Sequence, residues 1–274
     1  MFINRRRGWE ISGRLATPEA VALNRRALMG AGAAVLAAGP AQAQWFSPSR
    51  LLGGGSVKEQ PRQKLEAARN ASYDAGRPIS AESEVASYNN YYEFGMSKSV
   101  MGPAQALPLD PWSVRIEGMV EKPRTLALED ILKAVSLEER VYRHRCVEAW
   151  AMTVPWVGFP LSALVRMAAP LASAKYLVVH TLADAKTMPG LRQSFYPWPY
   201  TEGVTIQEAA NELAFVSVGM YGKTLPPQNG APLRLTLPWK YGFKSAKSIV
   251  KVTFTDQRPV SFWEALQDSE YGFW

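Results

Sequence analysis

Cysteine is the scarcest reactive residue in this chain. Cys146 stands alone among 274 residues, and only two histidines, His144 and His180, accompany it. One cysteine excludes an intramolecular disulfide and the paired cysteines of a c-type haem site. The same count excludes four-cysteine zinc sites and cysteine-ligated iron–sulfur clusters. Long apolar runs are also scarce. The one extended run, residues 27–38, is rich in Gly and Ala and falls short of the roughly 20 apolar residues that cross a bilayer. No Gly-rich phosphate fingerprint follows a strand-like segment, so a nicotinamide or nucleotide site is not expected. The net charge of +7 is not a basic face either: residues 1–43 carry six arginines against two glutamates and so hold four of those seven charges. Nucleic acid is therefore not an expected partner.

What is present suits a compact body. Apolar residues make up 47% of the chain, with nine Trp, twenty Gly and twenty Pro. That composition buries a sizeable core and favours a turn-rich, β-containing domain over a helical bundle.

Residues 1–43 have the layout of an address. Arg25-Arg26 precedes the short apolar run, Gly39-Pro40 breaks it, and Ala41-Gln42-Ala43 supplies an Ala-x-Ala cleavage site. The arginine pair points to the twin-arginine route, cleavage after Ala43 and a periplasmic destination. That route moves folded proteins, which favours a cofactor loaded before export. Residues 44–87 are polar and read as extended, surface-hugging chain, of which 44–64 are expected to be a lead-in, and residues 65–274 are expected to be the functional domain.

Along the mature chain, residues 112–120 alternate as a strand and Lys122-Pro123 turns the chain. Residues 128–134 have helical spacing, and residues 140–150 read as a β-like stretch reaching Cys146. Residues 155–167 suggest a short helix, 175–182 a strand and 205–210 a short helix. From 214 to 255, β-rich runs alternate with Gly/Pro turns. Strands mixed with short helices, without regular βαβ spacing, predict a mixed, β-rich α+β domain.

Chemistry concentrates at Arg143-His144-Arg145-Cys146-Val147-Glu148. A thiolate is the nucleophilic and metal-binding form of cysteine, and neighbouring cations favour it. Four uses compete: a Cys–His nucleophile with His180 as base, zinc on Cys146, His144 and His180, type-1 copper, and a cofactor metal needing one protein ligand. Paired-ligand zinc spacing and the copper Cys-His-Met cluster are both missing. A buried, inert thiol is the ordinary alternative. A single cysteine meets the last metal use without strain.

Three segments carry a resemblance: residues 88–95 (Tyr-Asn-Asn-Tyr-Tyr-Glu-Phe-Gly), residues 145–150 (Arg-Cys-Val-Glu-Ala-Trp), and residues 226–249 from Pro-Pro-Gln-Asn-Gly to Lys-Ser-Ile. In that order they resemble the sulfite-oxidase family of molybdenum enzymes, and most closely its bacterial branch that reduces methionine sulfoxide in periplasmic proteins. The likeness spans residues 65–274. It implies a molybdopterin-binding domain whose molybdenum is held by one pyranopterin dithiolene per chain and by Cys146. By the same resemblance Asn89, Tyr92, Glu93, Thr181, Asn229, Arg234, Ser245, Ala246 and Lys247 bind the cofactor. Arg234 and Lys247 are natural charge partners for the pterin phosphate.

The resemblance implies oxygen-atom transfer from methionine sulfoxide, with oxidised periplasmic proteins as substrates. It also implies a haem-containing integral membrane subunit fed from the quinone pool as electron donor. A monomer is expected apart from that partner, because the chain ends about 25 residues past the last motif. Two other readings remain: a sulfite-type molybdenum dehydrogenase passing electrons to a cytochrome, and a metal-free binding module.

Overall fold

The computed structural model describes residues 57–274. The expected signal segment and residues 44–56 of the lead-in lie outside the described residues. In chain order the strands are β1 (Ala68–Arg69), β2 (Ser113–Gly118), β3 (Arg124–Ala127), β4 (Glu138–Arg145), β5 (Ala151–Pro160), β6 (Tyr176–Thr181), β7 (Thr201–Thr205), β8 (Phe215–Met220), β9 (Lys223–Thr224), β10 (Arg234–Thr236) and β11 (Ile249–Thr255). The helices are α1 (Glu82–Ser87), α2 (Met101–Ala104), α3 (Leu128–Lys133), α4 (Leu161–Ala168), α5 (Ile206–Ala210) and α6 (Phe262–Leu266).

Two mixed sheets form the body. One runs β1-β4-β5-β8-β10 with β9 paired to β8, and the other runs β3-β2-β11-β6-β7. Their patterns follow from side-chain alternation. In β2, Val114 and Ile116 are buried while Ser113 and Arg115 face water. β8 is buried at every position because it is paired on both edges and covered on both faces. Short helices close the sheets. In α4, Leu161, Leu164 and Ala168 form one buried stripe at helical spacing, and the helix stops at Ala169 in a left-handed conformation. α5 begins with a Thr205–Glu208 capping box.

The β-rich α+β expectation holds, and most elements fall where the sequence placed them. Three local expectations fail, the first being that residues 146–150, read as the end of a β-like stretch, form the turn between β4 and β5 because the antiparallel pair must reverse there. Residues 151–160 are strand, with Pro155 opposite Val141, and helix begins only after Pro160. The spacing of Leu161, Leu164 and Val165 is helical, but the run before it is buried between β4 and β8, where extended chain satisfies more backbone groups. The polar stretch expected to be extended throughout, residues 44–87, contains α1. It is a six-residue helix with Val85 as its sole buried residue, too short and polar to leave a periodic signal.

Strand β4 ends at Arg145. Cys146 is the first residue of the turn into β5, closed by its N–H donating to Trp150 O at 2.8 Å. Ala149 takes a positive φ of 68° in that turn. The cysteine is thus held by a two-strand frame.

Candidate active site

Cys146 opens onto a cavity of about 120 Å³. Its wall is built from the end of β4, the 146–150 turn, the start of β5, the segment 88–92, the turn before β10, β10 itself and the 242–247 loop. Side chains distant in sequence meet here because the two antiparallel partners of β5, β4 and β8, carry the cysteine turn and β10 to neighbouring positions.

At one end sits the sulfur. Cys146 Sγ accepts the Glu148 backbone N–H at 3.5 Å and Asn90 Nδ2 at 3.6 Å. Burial pushes the thiol up, with the Glu148 N–H acting against it. Glu148 accepts from Lys98 Nζ, from Trp150 Nε1 at 2.9 Å and from Asn90 Nδ2 at 3.2 Å. Partial burial opposes its charge, yet these donors hold the Glu148 carboxyl down at about 2.

The other end is cationic. Arg234 is 3% exposed, and its guanidinium donates to Asn229 O at 3.0 Å. It lies 4.8 Å above the Trp156 ring. Lys247 lines the same cavity, with its Nζ 5.3 Å from the Tyr91 ring centre. Among the described residues neither cation forms an ion pair, and the charge that favours the protonated Lys247 is the buried Glu93 carboxylate. Desolvation pulls Arg234 down to about 10, and desolvation and the Arg234 charge pull Lys247 down. Two cations held this way favour an anion between them.

Two buried polar atoms point the same way. Asn229 donates its amide to Val85 O and Asn89 Oδ1, each at 3.0 Å, leaving Asn229 Oδ1 without a partner. Trp156 Nε1 is likewise buried without one. A cavity offering one cysteine sulfur, two cations, a spare acceptor and a spare donor fits a molybdenum pyranopterin: a metal, a phosphate and a heterocycle with hydrogen-bonding edges.

Gly230 shapes the cationic end. It adopts φ +96°, and a Cβ there would lie 2.7 Å from Lys247 Cγ. Only glycine combines that backbone with such a close approach.

Of the residues singled out from sequence, Asn89, Tyr92, Cys146, Asn229, Arg234 and Lys247 line the cavity. Glu93, Thr181, Ser245 and Ala246 are buried outside the lining. Thr181 donates to Glu93 Oε1 at 3.1 Å, and Ser245 O accepts from Arg234 at 3.5 Å. Ala246 O accepts from Leu235 N–H at 2.8 Å. These four therefore support the wall. Arg145, expected beside the metal charge, turns the opposite way and donates to Pro238 O and Trp239 O. Strand alternation sends His144 into the cavity instead, where its ring packs near Trp150 and Trp156. His180 is remote on β6 and bonded to Thr201, so the zinc set of Cys146, His144 and His180 is not assembled. Among the described residues no three of His, Cys, Asp and Glu group as a metal site. Sequence reasoning missed Asn90, Lys98, Glu148 and Trp156. Asn90 and Glu148 lay inside quoted motifs, but nothing local showed them turning toward the sulfur.

The fold and this wall define a molybdopterin-binding oxidoreductase. Residues 101–263 match the family described as an oxidoreductase molybdopterin binding domain. The chain is 44% identical over 269 residues to the protein-methionine-sulfoxide reductase catalytic subunit MsrP of Pseudomonas syringae pv. tomato, covering 94% of this chain and 79% of that protein. It is 43% identical to MsrP of Burkholderia mallei over 94% of this chain and 77% of that protein. With MsrP of Xanthomonas campestris pv. campestris it shares 52% identity over 69% of this chain and 59% of that protein. This chain belongs to the family of protein-methionine-sulfoxide reductase catalytic subunits.

Proposed function

We propose that the protein reduces methionine sulfoxide in polypeptides to methionine, on one molybdenum pyranopterin anchored by Cys146. The observation that carries this is the cavity itself: a lone cysteine sulfur in its wall together with the desolvated cations Arg234 and Lys247. The names of the relatives support the reaction.

When bound, the cofactor supplies two-electron oxygen-atom transfer with a sulfur centre. The net reaction consumes two electrons and two protons per sulfoxide and yields a thioether and water. The chain's own part is placement and charge. Cys146 Sγ is the single protein donor to the metal, held by the 146–150 turn and by two N–H donors. Arg234 and Lys247 would hold the phosphate, and the unpartnered Asn229 Oδ1 and Trp156 Nε1 would serve the heterocycle's hydrogen-bonding edges. Lys98 beside the sulfur is already neutralised by Glu148.

The electrons are supplied by a haem-containing membrane subunit drawing on quinone. The twin-arginine address places the reaction in the periplasm. Fractionation of cells expressing the full chain, with an Arg25→Lys/Arg26→Lys variant as control, tests the address: wild type in the periplasm, variant retained inside.

The central test is elemental analysis and EPR of the purified protein with an assay on methionine sulfoxide. Wild type is expected to contain molybdenum near one equivalent and to reduce the sulfoxide. Cys146→Ser should lose at least ~100-fold of the activity along with the metal. Retention of both by that variant, or sulfite oxidation in place of sulfoxide reduction, refutes the reading.

A further inference from the structure

A chain of aromatic contacts runs outward from the cavity wall, and oxygen transfer itself does not require it. Tyr92 and Trp263, both in the cavity wall, meet edge to face with centroids 5.1 Å apart. Tyr196 contacts both, at 5.9 Å and 6.2 Å. Phe195, 63% exposed, lies 4.2 Å from Tyr196. On the other flank the wall residue Phe243 lies 6.5 Å from Tyr241, which is 50% exposed. Ring contacts thus lead without a break from the cavity wall to an exposed ring on either side.

The chain of rings is held from beneath. Phe262 stacks on Tyr196 at 5.6 Å and on Tyr200 at 4.4 Å. The loop carrying Phe195 begins against the cavity wall, with Gly190 N–H donating to Glu93 O at 2.8 Å. A Cβ on Gly190 would sit 2.0 Å from Tyr92 O, so no other residue allows that approach. Residues 193–200 read Gln-Ser-Phe-Tyr-Pro-Trp-Pro-Tyr and carry no charge.

Exposed rings continuous with a reaction cavity mark a ligand surface. Their lack of charge selects an uncharged occupant. Methionine is a core residue with apolar surroundings, and its oxidation disrupts the core that held it. A chain presenting methionine sulfoxide therefore presents apolar side chains beside it.

We propose that the exposed rings of Phe195, backed by the buried Tyr196, and Tyr241 form a docking surface for an unfolded, apolar stretch of oxidised polypeptide. They hold the residues flanking the methionine sulfoxide while its side chain enters the cavity. This rests on the sulfoxide-reductase reading above.

The test uses the cofactor-loaded protein and two synthetic nonapeptides with a central methionine sulfoxide, one flanked by Leu and Phe, the other by Ser and Asn. N-acetylmethionine sulfoxide is the small substrate. Kd is read by fluorescence anisotropy, and kcat and KM by turnover. Wild type should bind the apolar peptide about tenfold more tightly than the polar one. A Phe195→Ser/Tyr241→Ser variant should raise Kd and KM for the apolar peptide about tenfold with kcat unchanged. Its kcat/KM on the small sulfoxide should stay within about twofold. Phe195→Leu/Tyr241→Leu should keep most of the affinity, which separates lost apolar contact from misfolding. Equal binding of both peptides by wild type, or an unchanged Kd in the Ser variant, overturns the proposal. If no sulfoxide is reduced while the Kd differences persist, the docking surface stands and the reaction reading falls.

Discussion

Asn90 Nδ2 lies 3.6 Å from Cys146 Sγ, and the two residues are 56 positions apart in the chain. The same amide also reaches Glu148, so one side chain joins the sulfur to the charged pair at the cavity rim. Removing such an oriented donor weakens a metal site without removing a ligand. Asn90→Ala is expected to lower molybdenum affinity by about 10–100-fold with the fold intact. Metal content after dialysis against chelator, alongside circular dichroism, checks it.

Lys244 and Glu202 are a deeply buried pair, 2% and 1% exposed, with the nitrogen 3.2 Å from the carboxylate. Burial pushes Glu202 up to about 7 despite Lys244, which also donates to Ser261 Oγ at 3.0 Å. Breaking one partner strands the other without water. Lys244→Met should cost about 3–5 kcal/mol, while Lys244→Met/Glu202→Leu should come within about 1 kcal/mol of wild type. Urea denaturation of the three proteins at pH 8 decides between these outcomes.

Gly230→Ala should destabilise the fold by about 1–3 kcal/mol, because φ +96° is unfavourable for any side chain and the new methyl would meet Lys247. Since the contact is with a cavity cation, cofactor content should fall as well. A thermal melt with a parallel molybdenum assay reads both effects, and an unchanged Tm would count against the backbone argument.

His180 sets a pH dependence. Burial and the Lys251 charge lower it from 6.5 to about 4, with Glu117 pulling the other way. Thr201 Oγ1 faces its Nδ1 at 3.2 Å. The folded state resists protonation that the unfolded chain accepts. The stability from the neutral ring is therefore full above pH 6.5 and is lost as pH falls through about 4. The ring is part-exposed, so solvent screening trims the loss to about 1–2 kcal/mol. Denaturation midpoints at pH 7 and pH 4.5 should show a smaller drop for His180→Gln than for wild type.

Much of this was legible in the chain. Alternation placed β2 and β6, helical spacing placed α3, and the thiol among basic residues marked Cys146 as the centre of the chemistry. The motif segments also nominated Asn229, Arg234 and Lys247, which do converge on one cavity. Other features had no local signal. Pro155 reads as a helix start but sits in a strand, because pairing to β4 outweighs propensity. Lys98 is an ordinary surface lysine until the fold brings Glu148 within 2.7 Å of it. Trp156 looks like any core aromatic until its indole N–H is seen to lack a partner.

Element patterning determined the α+β class, and the resemblance of three motif segments determined the family, because each is carried by short contiguous runs of chain. Tertiary structure decided which side of the strand leading to Cys146 faces the site: His144 points inward and Arg145 away. It also decided that Arg234 and Lys247 share one desolvated wall and that aromatic rings of distant loops meet the rings of that wall. Those relations depend on which strands lie side by side, and strand pairing is set by burial over the whole domain.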